Sequence, residues 1–172
     1  MIRIFFVSFS VAVAFCVSAH ARAQPLKTAV FDFEMIDTSL EGEMHGARMD
    51  EQARLKRVGD QLRKGLAKSD KFIIVDIAPV EAEALKSNLQ ACGECDVALA
   101  QRLGADLSIT GTVQKVSNLI LNMNVYIRDV HTGKVVISMS ADFRGNTDES
   151  WSRAANYLLR NRLLAPDYGA LH

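Results

Sequence analysis

Between residues 105 and 143 hydrophobic and polar side chains alternate with a period of two. Leu107, Ile109 and Val113 alternate with Asp106, Ser108, Thr110 and Thr112. Leu119, Leu121, Met123, Val125 and Ile127 alternate with Ile120, Asn122, Asn124, Tyr126 and Arg128. Val135, Ile137, Met139, Ala141 and Phe143 then alternate with Val136, Ser138, Ser140, Asp142 and Arg144. The pattern predicts three strands, each with one buried and one polar face. His131-Thr132-Gly133 is a turn of hairpin length, so the last two strands are antiparallel.

Upstream the period changes. Leu55, Val58, Leu62 and Leu66 form one helical stripe over residues 48–68, closed by Gly65 and Lys68-Ser69-Asp70. Lys27 to Phe33 reads as a first strand and Phe72-Ile73-Ile74-Val75 as a short buried one. Asp37 to Gly46 has no periodicity, two glycines and three acids, which predicts a surface loop. Pro79 opens a short helix through Leu85, and Asp96 to Leu103 forms another, closed by Gly104. A last helix begins near Asn146, with Glu149 three residues on as a capping box and Trp151, Ala155 and Leu158 on one face. The expected fold is α+β, an α/β sandwich: a mixed sheet of about five strands with helices mainly on one face, in the order β-α-β-α-β-β-β-α.

The amino terminus changes what belongs to that fold. Arg3 precedes an almost unbroken apolar run from Ile4 to Val17, and Ser18-Ala19-His20-Ala21-Arg22-Ala23 follows. These are the parts of a secretory signal peptide, with cleavage after Ala23 or after Ala21. The run is shorter than the roughly 20 residues that span a bilayer. Phe15 does not fit the small residue usual before a lipidated cysteine at Cys16. Residues 1–23 are therefore expected to be the signal and residues 24–172 a single exported domain, periplasmic or secreted, with no transmembrane span.

Composition agrees with a globular domain: 49% hydrophobic, 23% charged, 20 basic against 20 acidic residues in 172. Without residues 1–23 the chain has 149 residues and two more acids than bases. That balance excludes a strongly basic nucleic-acid binder and a disordered tail.

Gly104-Ala105-Asp106-Leu107 with Gly111-Thr112-Val113, followed by an antiparallel pair joined by Asp129-Val130-His131-Thr132-Gly133-Lys134, resembles the amino-terminal domain of the TolB family. It also resembles the periplasmic domain of the curli secretion proteins. Gln114 to Leu121 with Arg144 to Trp151 is similar to a family of small secreted bacterial proteins classed only as a domain of unknown function. The resemblance implies an exported α/β domain that works through protein contacts in the cell envelope.

Cys92 and Cys95 are the only cysteines after the signal, in a C-x-x-C at a helix start. In an oxidising compartment the spacing suits a structural disulfide; a helix start also lowers thiol pKa, as thiol–disulfide exchange requires. Glu41, Glu43 and His45 offer carboxylate and imidazole for a divalent metal, though at no defined ligand spacing. His131 and His172 have no partner at ligand spacing, and no phosphate loop, nucleophile elbow, zinc-protease or dinucleotide motif occurs.

Three regions suit partner binding. Arg144, Asn146, Asp148 and Trp151 lie in the densest polar cluster. Asn122, Asn124 and Tyr126, beside Ser138, Ser140 and Asp142, make a polar strand face of low charge. Basic helix faces, with Arg48, Arg54, Lys56, Arg57, Arg63, Lys64 and Lys68 on one and Arg153, Arg160 and Arg162 on the other, suit an acidic partner, anionic lipid or cell-wall polymer. The expected function is that of a soluble periplasmic accessory protein binding a protein or envelope component, without catalysis or a cofactor. A thiol–disulfide protein and a small-ligand or metal binder are the alternatives.

Overall fold

The computed structural model describes residues 24–165; the expected signal peptide, Pro166 and His172 lie outside the described residues. Six strands form one mixed sheet: β1 (Leu26–Val30), β2 (Glu34–Asp37), β3 (Phe72–Ile74), β4 (Leu107–Ser117), β5 (Ile120–Asp129) and β6 (Val135–Phe143). The order is β3-β1-β4-β5-β6, with β2 also paired to β4. β1 and β2 run parallel to β4 in succession along one side, Thr28 opposite Leu107 and Glu34 opposite Thr112. β5 and β6 follow antiparallel, as the alternation predicts.

The expected first strand, Lys27 to Phe33, ends at Val30, and after a break at residues 31–33 a further strand, β2, follows that the pattern does not predict. Phe31 turns to one face of the sheet and Phe33 to the other, and both are buried. Phe33 lies over Gly111, where a β-carbon would collide with its ring. Arg63 closes the break from outside the sheet: it donates to the Val30 carbonyl (2.8 Å) and the Asp32 carboxylate (2.7 Å).

Five helices complete the fold, α1 (Leu40–His45), α2 (Met49–Leu66), α3 (Ala78–Ala84), α4 (Cys95–Arg102) and α5 (Asp148–Leu158), and α5 continues into a π-helical turn at Leu159–Leu163. α2 and α5 bury Leu55, Val58, Leu62, Trp151, Ala155 and Leu158 against the inward residues of β4, β5 and β6. The shorter α3 and α4 form a second core on the other face, with Ala29, Phe31, Val80, Leu99 and Ala100. That second layer covers the β1 and β4 side and leaves the β5 and β6 side open.

Two local expectations are corrected. Residues 37–46 are not a loop: β2 ends at Asp37, and Ser39 caps α1 by accepting from the Gly42 amide. α1 buries none of its residues, so it leaves no hydrophobic stripe for a sequence to display. The capping box of α5 is formed not by Asn146 and Glu149 but one position later, by Thr147 and Ser150.

Candidate functional site

The most buried charges belong to the framework. Lys115 on β4 is 0% exposed and Glu51 on α2 is 1% exposed. The Lys115 ammonium donates to Glu51 (2.8 Å) and Glu41 (3.0 Å) and lies 3.3 Å from Asp37. Burial alone would depress the Lys115 pKa; the three carboxylates outweigh it and hold it well above the usual lysine range. Glu41 in turn is held below the usual carboxylate range by Lys115 and Asn118.

From Glu51 the network runs on to the predicted polar cluster. Asn146 donates to Glu51 Oε1 (2.5 Å) and Asn118 Oδ1 (3.0 Å), and accepts from the Trp151 indole (2.9 Å) and Arg54 (3.2 Å). Arg54 and Arg57 converge on Asp148 at 2.7 and 2.8 Å. Trp151 is buried, edge-on to Phe143. Three of the four partner-binding candidates in this stretch, Asn146, Asp148 and Trp151, therefore fasten α5 to α2. Arg144 stands apart from them, exposed.

Lys115 and Glu51 were not among the residues singled out from the sequence, although a signal for both exists. Lys115 continues the inward parity of Leu107, Ile109 and Val113, and Glu51 lies four residues before Leu55 on the buried stripe of α2. A charged residue at each of two inward positions points to a buried pair.

The proposed metal ligands do not converge. Glu41 faces Lys115 and Arg48, whereas Glu43 and His45 are exposed. Among the described residues no group of three or more His, Cys, Asp or Glu side chains is placed to hold a metal ion.

Cys92 and Cys95 are joined as a disulfide, with Cα atoms 5.7 Å apart. The bridge closes the turn into α4, in which Gly93 and Glu94 both have positive φ. Asp96, the next residue, is buried; it accepts from the Ser108 hydroxyl (2.9 Å) and lies 3.5 Å from Arg128. Asp96 thus fastens α4 to β4, and the disulfide closes the turn that leads into it. Glu34 sits under the same loop, its carboxylate accepting from the Leu89 amide at 2.6 Å. Burial raises the Glu34 pKa despite that bond and a second one from Gln90.

The outer face of β5 and β6 is polar and partly to fully exposed. Asn122, Asn124 and Tyr126 stand on β5, partly exposed; Ser138, Ser140 and Asp142 stand opposite them on β6, exposed. Asn122 donates to Asp142 across the strands (2.7 Å), and Asn124 lies 3.4 Å from Thr112 on β4. β6 is nine residues long, and its far edge pairs with no strand among the described residues. An unpaired edge beside an uncovered polar face can accept an extended segment or a flat protein surface. No helix of the described residues is long and apolar enough to cross a membrane.

Residues 26–163 match the family DUF3280, described as "Protein of unknown function (DUF2380)", and the chain belongs to that family. Among solved structures it is similar to the LpoB C-terminal domain from Salmonella enterica, with a TM-score of 0.50 and 15% identity, over 73% of this chain and 87% of that one. LpoB from E. coli gives a TM-score of 0.50 at 14% identity, over 69% of this chain and 57% of that one. TolB from Acinetobacter baumannii gives 0.42 at 12% identity, over 80% of this chain and 29% of that one. No curated protein matches the chain. At these identities the LpoB likeness is one of fold.

Proposed function

We propose that this member of the DUF3280 family is an exported accessory protein of the cell envelope. It acts by binding a protein partner, without catalysis, through the outer face of β5 and β6. The observation that carries this reading is the half-covered sheet. α3 and α4 close the β1 and β4 side, while Asn122, Asn124, Tyr126, Ser138 and Ser140 stay accessible beside the unpaired edge of β6. Tyr126 supplies amphipathic contact area at low entropic cost, and the asparagines and serines supply adaptable hydrogen bonds. The signal-like amino terminus and the LpoB-like fold support an envelope setting.

Photo-cross-linking in intact cells tests the proposal. A cross-linker placed at Ser138 or Ser140 is expected to capture one discrete partner, and Tyr126→Ala is expected to reduce that capture. If neither position captures a protein, while a folded Tyr126→Ala Asn124→Ala variant supports normal growth and envelope integrity, the face is not the contact surface.

A further inference from the structure

Two exposed surfaces remain outside that contact face, one at the amino-terminal end of α2 and one along the rest of α2. At its amino-terminal end, Leu40 and Met44 on α1, Met49 on α2 and Leu119 in the β4–β5 turn are 67–83% exposed. They share one end of the molecule because Glu41 of α1 reaches Lys115, and Asn118, beside Leu119, is bonded to Asn146. Seven of the twelve large hydrophobic residues exposed among the described residues gather here, Ile36, Val116 and Ile120 being the other three. The charge at the surface around them is acidic: Asp37, Glu41, Glu43 and Asp50 against Arg48 and, at Asp50, Arg54, while Lys115 and Glu51 form a buried pair beneath.

Along α2 from Arg54 to Lys68, a groove of about 710 Å³ runs between α2 and α5. Val58, Gly65, Leu159 and Leu164 line it, and Lys64, Lys68 and Arg160 stand beside them. Arg54 and Arg57 at its near end are already held by Asp148. Lys64, Lys68 and Arg160 form no ion pair among the described residues. Along α2 the groove begins at Arg54, but its unpaired lysine Lys64 lies fifteen residues from Met49, about 22 Å away, so within one copy the tip does not reach that part of the groove.

We infer that they belong together in different copies, the acidic apolar tip of one chain seating in the basic groove of the next. Tip against tip or groove against groove would oppose like charges. Tip against groove unites opposite charges and covers apolar surface on both sides. Such a contact is heterologous, so it builds a closed ring or an open chain of subunits. It uses neither Tyr126 nor Ser140, and so is independent of the partner surface proposed above.

Sedimentation velocity on the purified protein, over a series of concentrations, tests this. The wild-type chain is expected to form species larger than one chain, and added salt to weaken them. A tip variant, Leu40→Asp Met44→Asp, and a groove variant, Lys64→Glu Arg160→Glu, are each expected to associate at least about tenfold more weakly. Mixed in equal amounts they are expected to form dimers that grow no further, because the mixture retains one intact tip and one intact groove per pair. Circular dichroism establishes that both variants fold, and Leu85→Asp, at an exposed site outside both surfaces, serves as the control. A wild-type chain that remains monomeric, a folded variant that associates as wild type, or a mixture that stays monomeric overturns the proposal.

Discussion

Lys115 is the side chain whose replacement should cost the fold most. Lys115→Met removes the ammonium that donates to Glu51 at the centre of the network and leaves a buried carboxylate with only the Asn146 amide and Arg48, 3.9 Å away. Breaking a buried pair in this way costs about 3–5 kcal/mol. The double variant Lys115→Met Glu51→Met removes both charges and should recover part of that loss, although Asp37 and Glu41 would still lose their partner. Urea unfolding of wild type, the single variant and the double variant checks this; a single variant as stable as wild type would contradict it. Glu34 presents the opposite case. Burial of its carboxylate outweighs the bonds from the Leu89 and Gln90 amides and raises its pKa above the ordinary value. Glu34→Gln keeps an oxygen to accept from the Leu89 amide and sheds the cost of burying the charge. The variant should be more stable than wild type near neutrality, with the gain shrinking as acid protonates Glu34. A gain that grew on acidification would refute that account.

Single elements depend on smaller features. The Thr147 hydroxyl accepts from the Ser150 amide, and the Ser150 hydroxyl accepts in turn from the Thr147 amide, so Thr147→Ala should cost about 1 kcal/mol. Gly111 is required by packing: Gly111→Ala drives a methyl group into the Phe33 ring and should cost about 1–3 kcal/mol in thermal or urea unfolding. The elements that could be read in the sequence are those whose burial repeats. β5 buries alternate residues and α2 buries Leu55, Val58, Leu62 and Leu66, so there period and structure coincide; β4, expected to keep one polar face, instead buries every residue from Leu107 to Val113, because α4 and the loop before it cover Ser108 and Thr110 on its other side. β2 and α1 were missed because the physics that forms them is not periodic. β2 has four residues and takes its place from pairing with β4, and α1 is held by Glu41 to Lys115 and Arg48, not by an apolar stripe. Among the candidate residues, Cys92 and Cys95 could be paired from spacing and compartment. Trp151 is legible as a buried residue of the last helix, but Asn146 is not legible as internal: its partners Glu51 and Arg54 lie more than 90 residues away, and only the fold brings them together.

For the molecule as a whole, these ion pairs set a direction of pH dependence. Hydrogen bonds from Arg48 hold Asp50 below the ordinary carboxylate range, and Arg63 does the same for Asp60 and Arg54 for Asp148. Lys115 holds Glu41 down, the Thr132 amide holds Asp129, and at Asp37 the Ser39 and Lys115 bonds more than offset burial. Each of these groups binds its proton more weakly in the folded chain than in the unfolded one. Their contribution is therefore complete above the unfolded carboxylate pKa, about 4, and is lost as pH falls through the lower folded values. Glu34 works in the other direction, but it is one group against six. Stability from urea unfolding should accordingly be flat near neutral pH and fall steadily on acidification below about pH 4. Salt should flatten the part of the fall that comes from the exposed pairs at Asp50 and Asp148, and affect the buried Lys115 cluster least. Removing the cluster with Lys115→Met Glu51→Met should make the acid fall shallower, because Asp37 and Glu41 then lose the ammonium that lowers them. A double variant with the full wild-type acid dependence would mean that the surface pairs, and not the buried lysine, govern how this fold responds to pH.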